Sequence, residues 1–137
     1  MQGNNINKVI VFAMLFIPRM GFSLVDEDLD YCAKKESWVA YKVIEKAVEK
    51  NNRLDKHRAV STLIARHKLK KEELPITFSE WGQLYSQTTK IIIPFIDNQV
   101  PPMTLITSSI ISAAECSLTE PTYFDITPNS YPKDDTP

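Results

Sequence analysis

The chain has 137 residues, of which 24% are charged and 43% are apolar, and its formal net charge is −1. This length allows one domain of ordinary size, and the apolar content excludes both a fully disordered chain and a multi-span membrane protein. The near-neutral charge argues against nucleic acid as a partner, because nucleic-acid binders carry a marked basic excess.

The first 23 residues have the layout of a secretion signal. Lys8 precedes the apolar run 9–17, which as a helix would rise roughly 13–14 Å, under half of a hydrocarbon core about 30 Å thick. Gly21 and Ser23 then supply small side chains where a signal peptidase would cut. We therefore predict a signal peptide over 1–23, transient membrane contact through it, and a periplasmic or secreted protein. The alternative is an uncleaved N-terminal segment that holds the protein at the membrane.

Glycine is scarce, with Gly3, Gly21 and Gly82 as the full set. Phosphate-binding loops and nucleophile elbows need several glycines close together, so neither can be built here. Tight hairpins of the Asn-Gly or Asp-Gly type are also missing. The sequence therefore predicts an all-α fold, a compact domain of four helices, rather than an all-β one.

The first helix is predicted over residues 29–50. Acidic residues between positions 26 and 30 suit the positive end of its dipole. Apolar residues recur at intervals of three and four, which is the spacing of one helical face. They are Leu29, Cys32, Ala33, Val39, Ala40, Val43, Ile44, Ala47 and Val48.

A second helix is predicted over about 55–68, with Val60, Leu63, Ile64 and His67 on one face. The surrounding segment 53–71 has an excess of basic residues. A basic amphipathic helix can bind an acidic protein or an anionic membrane surface, although a solvated face is the simpler interpretation.

The third helix is predicted to start at Thr77, because Thr77 and Glu80 have the spacing of a capping box. Residues 91–96 contain Pro94, which cannot donate a hydrogen bond within a sheet, so we assign them to the end of this helix and a kinked connection. The predicted apolar side of the helix consists of Phe78, Trp81, Leu84, Tyr85 and Thr88.

The fourth helix is predicted to begin at Pro101-Pro102, with a stripe of Met103, Ile106, Ile110, Ala113 and Cys116. Prolines recur after it, and residues 119–137 predict a flexible tail without ordered structure. The predicted organisation is thus a signal peptide (1–23), a helical domain (24–118) and a proline-rich tail (119–137).

The two cysteines, Cys32 and Cys116, predict a disulfide. An even cysteine count behind a secretion signal favours a structural bond, which would lock the first helix against the last. The alternative, a pair of reactive thiols, lacks a Cys-x-x-Cys motif.

Residues that could carry chemistry do not form a recognisable constellation. His57 and His67 would lie about 15 Å apart along one helix, too far to share a metal ion. The carboxylate pairs lie among lysines or in polar segments, as expected of a solvated surface. We therefore predict a protein that is not an enzyme, with no catalytic residue, no metal ligand and no cofactor.

Aromatic residues at helical spacing have two interpretations. They can belong to the core or its edge, or they can anchor a partner. Together with two arginines of the basic segment they make up the predicted partner surface: Trp38, Tyr41, Trp81, Tyr85, Arg58 and Arg66.

The layout has a family resemblance. With a signal, Asp30-Tyr31-Cys32 at the start of the first helix and Cys116 in the last, residues 1–118 resemble small periplasmic two-cysteine helical proteins. Examples are the immunity proteins that neutralise type VI cell-wall amidases and, more loosely, acid-stress chaperones. The resemblance implies an exported protein that acts by protein–protein interaction as an inhibitor, or alternatively as a chaperone, and a homodimer is also open. It rests on layout, so it transfers no functional residue.

Overall fold

The computed structural model describes residues 24–128, with side chains from residue 27 onward. The predicted signal peptide and residues 129–137 of the predicted tail lie outside this range. The all-α, four-helix prediction is wrong, because most of the ordered structure within residues 24–128 is β. The elements are α1 (Leu24–Tyr31), α2 (Trp38–Lys50), a 3₁₀ turn (Lys56–Arg58), β1 (Val60–Lys68), β2 (Lys70–Lys71), β3 (Leu74–Pro75), β4 (Thr77–Phe78), β5 (Gly82–Gln83), β6 (Tyr85–Ile93), β7 (Met103–Ile111) and β8 (Thr122–Asp125).

The four longer strands form one antiparallel sheet in the order β1-β6-β7-β8. Ile91 on β6 lies opposite Leu105 on β7, and both side chains point to the face that α2 covers. Side chains alternate between the two faces of a strand, so the odd-numbered residues of β6 and β7 form the inner face. The main core contains Ala40, Val43, Ile44, Ala47, Leu54, Ala59, Ile91, Ile93, Phe95 and Leu105.

A smaller cluster joins α1 to the other end of the sheet. It contains Leu29, Cys32 and Ile111, with Tyr85 packed against it. The predicted disulfide between Cys32 and Cys116 is confirmed, with 5.2 Å between the two Cα atoms, and it is consistent with an oxidising compartment. None of the helices in the described range is long and apolar enough to cross a bilayer.

The apolar stripe predicted for the first helix is buried as expected, but the prediction of one continuous helix is wrong, because the segment forms two helices. Turns between Cys32 and Ser37 separate α1 from α2, and the Ser37 amide donates to the Lys34 carbonyl oxygen at 3.0 Å. Eight of the nine stripe residues are buried: Leu29, Cys32, Ala33, Val39, Ala40, Val43, Ile44 and Ala47.

The predicted second helix is wrong, since residues 60–68 form the edge strand β1. The register of β1 against β6 shifts between Leu63 and Ala65. Such a bulge adds one residue to a strand, which turns a two-residue alternation into a spacing that imitates a helical face. The basic amphipathic helix expected within 53–71 is therefore not formed.

The predicted third helix is also wrong. Thr77 and Glu80 do not form a capping box, because Thr77–Phe78 pairs with Gly82–Gln83 as a short hairpin. Pro94 directly follows the last residue of β6, a place where a missing amide hydrogen costs no ladder bond.

The predicted fourth helix and part of the predicted tail are strands. Residues 103–111 form β7 beside β6. Residues 122–125, inside the predicted flexible tail, pair with β7 as β8. Alternation along β7 buries Leu105 and Ile111, and residues rich in β-branched side chains pack well on such a pleated surface.

Between β1 and β6 the chain forms two small hairpins, residues 69–84, here called the arm. The Leu69 amide donates to the Leu84 carbonyl oxygen at 2.9 Å, and the Ile76 amide donates to that of Leu69 at 2.8 Å. The Gln83 side-chain nitrogen donates to the carbonyl oxygens of Leu69, Ile76 and Leu84 at 3.2, 3.1 and 2.8 Å. One amide side chain thus holds the three crossing segments of the arm together.

The tip of the arm is strained. Glu72 and Glu73, which connect β2 to β3, have φ angles of 51° and 64°, in the left-handed region that Asn and Gly tolerate best in two-residue loops. We expect Glu72→Asn/Glu73→Gly to raise the free energy of unfolding by roughly 1–2 kcal/mol, measured by urea denaturation. Glu72→Gln/Glu73→Gln removes the same charges without relieving the backbone, so equal stabilities of the two double variants would contradict this prediction.

Candidate functional site

A cleft of about 550 Å³ lies between α1, the first half of α2 and the loop that follows β7. We call it the aromatic cleft, because aromatic side chains and carboxylates form most of its wall. The lining residues are Asp28, Tyr31, Glu36, Trp38, Tyr41, Ala113, Ala114, Glu115 and Cys116.

The aromatic side chains of the cleft are available to a ligand. Trp38 and Tyr41 are three residues apart on α2, and their rings stack with centroids 6.3 Å apart and planes 23° apart. Tyr31, at the end of α1, donates from its hydroxyl to the Glu36 carbonyl oxygen at 3.4 Å. The three side chains remain 48%, 49% and 51% exposed for Tyr31, Trp38 and Tyr41, although each lines a concave surface.

The cleft is acidic. Asp28, Glu36 and Glu115 line it, and none of them forms an ion pair with another residue of the range 27–128. The Lys42 Nζ atom lies 5.0 Å from the centroid of the Trp38 ring, but this ammonium is paired with Glu120 at 2.7 Å. Among the described side chains, none of these three carboxylates therefore has a cation at ion-pairing distance.

Glu120 is the shared ion-pair partner of two lysines of α2. It also accepts from Lys46 at 3.0 Å, and the hydrogen bonds from Lys42 and Lys46 hold the pKa of its carboxyl below the ordinary value. The Lys42 ammonium is thus ion-paired with Glu120, which does not line the cleft, and not with one of the cleft acids.

No family model, curated protein or solved structure matches this chain. Within residues 24–128, no group of three or more His, Cys, Asp or Glu side chains is arranged to hold a metal ion.

The loop that follows β7, which forms one wall of the cleft, is held in place by hydrogen bonds within it. The Ser112 hydroxyl accepts from the amides of Ala114 and Glu115 at 3.2 and 3.1 Å, and the Ser112 amide donates to the Glu115 carbonyl oxygen at 2.8 Å. The disulfide fixes the end of this loop to the residue that follows α1. The cleft thus needs little rearrangement to accept a ligand.

Ser37 stands between the wall residues Glu36 and Trp38, at the N-terminus of α2. Its hydroxyl is fully buried and has no hydrogen-bond partner among the described residues, and it does not cap the helix. An unpartnered buried hydroxyl is unfavourable.

We expect Ser37→Ala to leave the free energy of unfolding unchanged or to raise it by up to about 1 kcal/mol, although the same change at a serine that caps a helix costs about 1 kcal/mol. Ser112→Ala is the matched control, because that buried hydroxyl accepts two amide hydrogen bonds; it should cost about 1–2 kcal/mol. Urea denaturation measures both, and equal losses in the two variants would refute the distinction.

Of the predicted aromatic surface, the structure brings together Trp38 and Tyr41 only. Trp81 lies on the arm, where its ring meets that of Phe78 edge-on with centroids 5.8 Å apart. Tyr85 packs against the smaller core cluster. The cleft residues Asp28, Tyr31, Glu36 and Glu115 were not predicted as site residues, because only the fold brings these segments together.

The two arginines of the predicted surface make contacts within the fold. Arg58 binds Asp55 at 2.7 Å and the carbonyl oxygen of Phe95 at 2.7 Å, and its hydrogen bond holds the pKa of Asp55 below the ordinary value. Arg66 donates to the Leu29 carbonyl oxygen at 2.6 Å and to Asp30 at 2.9 Å. Both side chains thus connect separate segments of the chain.

A second surface lies on the side of the sheet away from both helices, here called the open face. Val60 lies opposite Ile92 in the β1–β6 register, and Ile106 lies opposite Phe124 in the β7–β8 register. Val60 and Phe124 are 54% and 68% exposed, and Ile126, just after β8, is 50% exposed. Both helices of the described range pack against the inner face and so leave this side of the sheet uncovered.

Proposed function

We propose that this is an exported protein that acts by binding another protein through the open face of its sheet. The observation that carries the proposal is the set of five apolar residues on this face, where Thr104 lies opposite Ile92 and Lys90 opposite Ile106: Val60, Ile92, Ile106, Phe124 and Ile126. An antiparallel sheet with one solvated face usually presents polar residues there. Exposed apolar patches on soluble proteins are typical of surfaces that bind other proteins.

Three further features support this proposal. The Cys32–Cys116 disulfide is suited to an oxidising compartment, and the sequence of residues 1–23 predicts a secretion signal. The two-cysteine layout supports a periplasmic or secreted inhibitor with a single effector as its partner, although Cys116 lies in the loop between β7 and β8 and not in a helix. The alternative function is that of a chaperone, which would bind many client proteins through the same patch.

A cross-linking experiment tests the proposal. A photo-reactive benzoylphenylalanine replaces Phe124 in one variant and Leu74, on the arm, in the other; both native side chains are 68% exposed. After irradiation of the exported fraction, we expect a covalent adduct of one mass from position 124 and none from position 74. Adducts of many masses from position 124 alone would indicate a chaperone. No adduct from position 124, or the same adducts from both positions, would contradict binding through the open face.

A further inference from the structure

We infer that the aromatic cleft is a binding site for an organic cation whose positive charge is a quaternary ammonium group. The site is separate from the open face, because the cleft is built on the two helices and the loop after β7. The inference therefore does not depend on the proposed function.

The aromatic rings provide the first part of the argument. An aromatic face attracts a cation that lies within about 6 Å of the ring centroid, and several rings around one cavity are the usual means of binding quaternary ammonium groups. Tyr31, Trp38 and Tyr41 come from two helices, all three line the same cleft, and each is about half exposed. The Lys42 ammonium group, which is ion-paired with Glu120, lies 5.0 Å from the centroid of the Trp38 ring, so this ring already makes one contact of the cation–π type.

The carboxylates provide the second part. Asp28, Glu36 and Glu115 lie at the same cleft as the rings, and no described cation is ion-paired with them. Their combined charge attracts a cation and repels an anion. The rings and the acids thus favour the same class of ligand by two independent interactions.

The choice of a quaternary ammonium over a primary one follows from hydration. A primary ammonium is strongly hydrated and loses that hydration when it contacts the aromatic rings, whereas a quaternary ammonium has no N–H group to leave without a partner. The volume of about 550 Å³ leaves space for the remainder of a small molecule or for a headgroup beside the ammonium. Choline is the simplest probe of this chemistry.

The test uses the indole N–H signals of the two tryptophans in a nuclear magnetic resonance titration of the disulfide-bonded protein. Trp81→Phe assigns the signals, because the one that remains belongs to Trp38. We expect choline chloride to shift the Trp38 signal saturably, relative to sodium chloride at the same ionic strength, and to leave the Trp81 signal in place. The neutral isostere 3,3-dimethylbutanol should not bind.

Variants separate the two interactions. Tyr31→Ala should weaken choline binding at least about threefold, as expected for the loss of one cation–π contact. Glu36→Gln/Glu115→Gln should weaken it by more than Glu72→Gln/Glu73→Gln, which removes two charges from the arm. The Trp81 signal and the unfolding midpoint report whether each variant remains folded.

The results decide the inference. An unshifted Trp38 signal, an equal response to dimethylbutanol, or unchanged affinity in folded Tyr31→Ala would overturn it. Vesicles of phosphatidylcholine distinguish the source of the cation: co-sedimentation that choline competes away indicates a lipid headgroup, whereas choline binding without co-sedimentation indicates a free small molecule. Either of these two results supports the quaternary ammonium site.

Discussion

Removal of the disulfide, by Cys32→Ser/Cys116→Ser or by a reductant, should lower the free energy of unfolding by about 4–5 kcal/mol. The bond joins residues separated by 84 positions, and a cross-link over so long a loop strongly restricts the unfolded chain. Domains of this size have a total stability of about 5–15 kcal/mol, so the loss would be a large fraction of it.

The native structure gives a second reason for a large effect. α1 meets the sheet through a small cluster with three buried residues, Leu29, Cys32 and Ile111, so few other apolar contacts hold it. Urea denaturation of the oxidised protein, the reduced protein and the double variant measures the effect. The double variant should unfold at or below the midpoint of the reduced protein, because Cys32→Ser places a hydroxyl in a buried apolar cluster. A loss below about 1 kcal/mol in the reduced protein would show that the loop restraint contributes little.

Replacement of Arg66 by Met should destabilise the protein by about 3 kcal/mol. Arg66 donates to Leu29, Asp30 and the Gln87 side-chain oxygen, and Gln87, which is 1% exposed, donates to the Cys32 carbonyl oxygen at 3.0 Å. Removal of the guanidinium leaves the Leu29 carbonyl oxygen and the Gln87 side-chain oxygen without this donor. An unpaired acceptor in a buried or partly buried place costs more free energy than the hydrogen bond itself contributes.

Lys68→Met is the matched control, because Lys68 lies on the same strand with an exposed side chain; it should change stability by less than about 0.5 kcal/mol. Asp30→Asn should cost less than about 1 kcal/mol, since that carboxylate is 66% exposed. Urea denaturation gives all three values. A loss in Arg66→Met no larger than that in Asp30→Asn would mean that the bonds to Leu29 and Gln87 do not stabilise the junction.

The parts of the fold that the sequence predicts correctly are those in which apolar residues alone form the buried face. On α2, Val39, Val43 and Ala47 are buried at helical spacing, and nothing polar interrupts the pattern. The disulfide was predictable because Cys32 and Cys116 are the two cysteines of the chain. The apolar face of α2 and the cysteine pair both consist of residue types that are usually buried in folded proteins.

The sheet was missed because its buried face is partly polar. Gln87 and Thr89 on β6, and Thr107 and Ser109 on β7, are buried, so an alternation of apolar and polar residues does not mark these strands. Neither glycine nor Asn-Gly marks the turn at the tip of the arm, where two glutamates adopt positive φ angles. The usable signal was the frequency of β-branched residues in 85–93 and 103–111.

Part of the candidate site, the pair of aromatic residues on α2, could be predicted from the sequence. Trp38 and Tyr41 are neighbours on any helix, because residues three apart share a face. Glu115 reaches the same cleft only through the β7 register and the disulfide, and neither is encoded locally around that residue. A charged residue recruited from a distant loop is thus visible only in the folded chain.

The bulge in β1 also affects how the molecule can meet its neighbours. A regular edge strand offers unpaired backbone groups to another chain, which leads to strand addition and fibrils. Here one edge carries a bulge and the exposed, charged side chain of Lys68, and the other, β8, has four residues. Both edges are therefore poor templates for a further strand. Specific association is left to side chains on the faces, where a partner is selected by shape and charge rather than by backbone pairing.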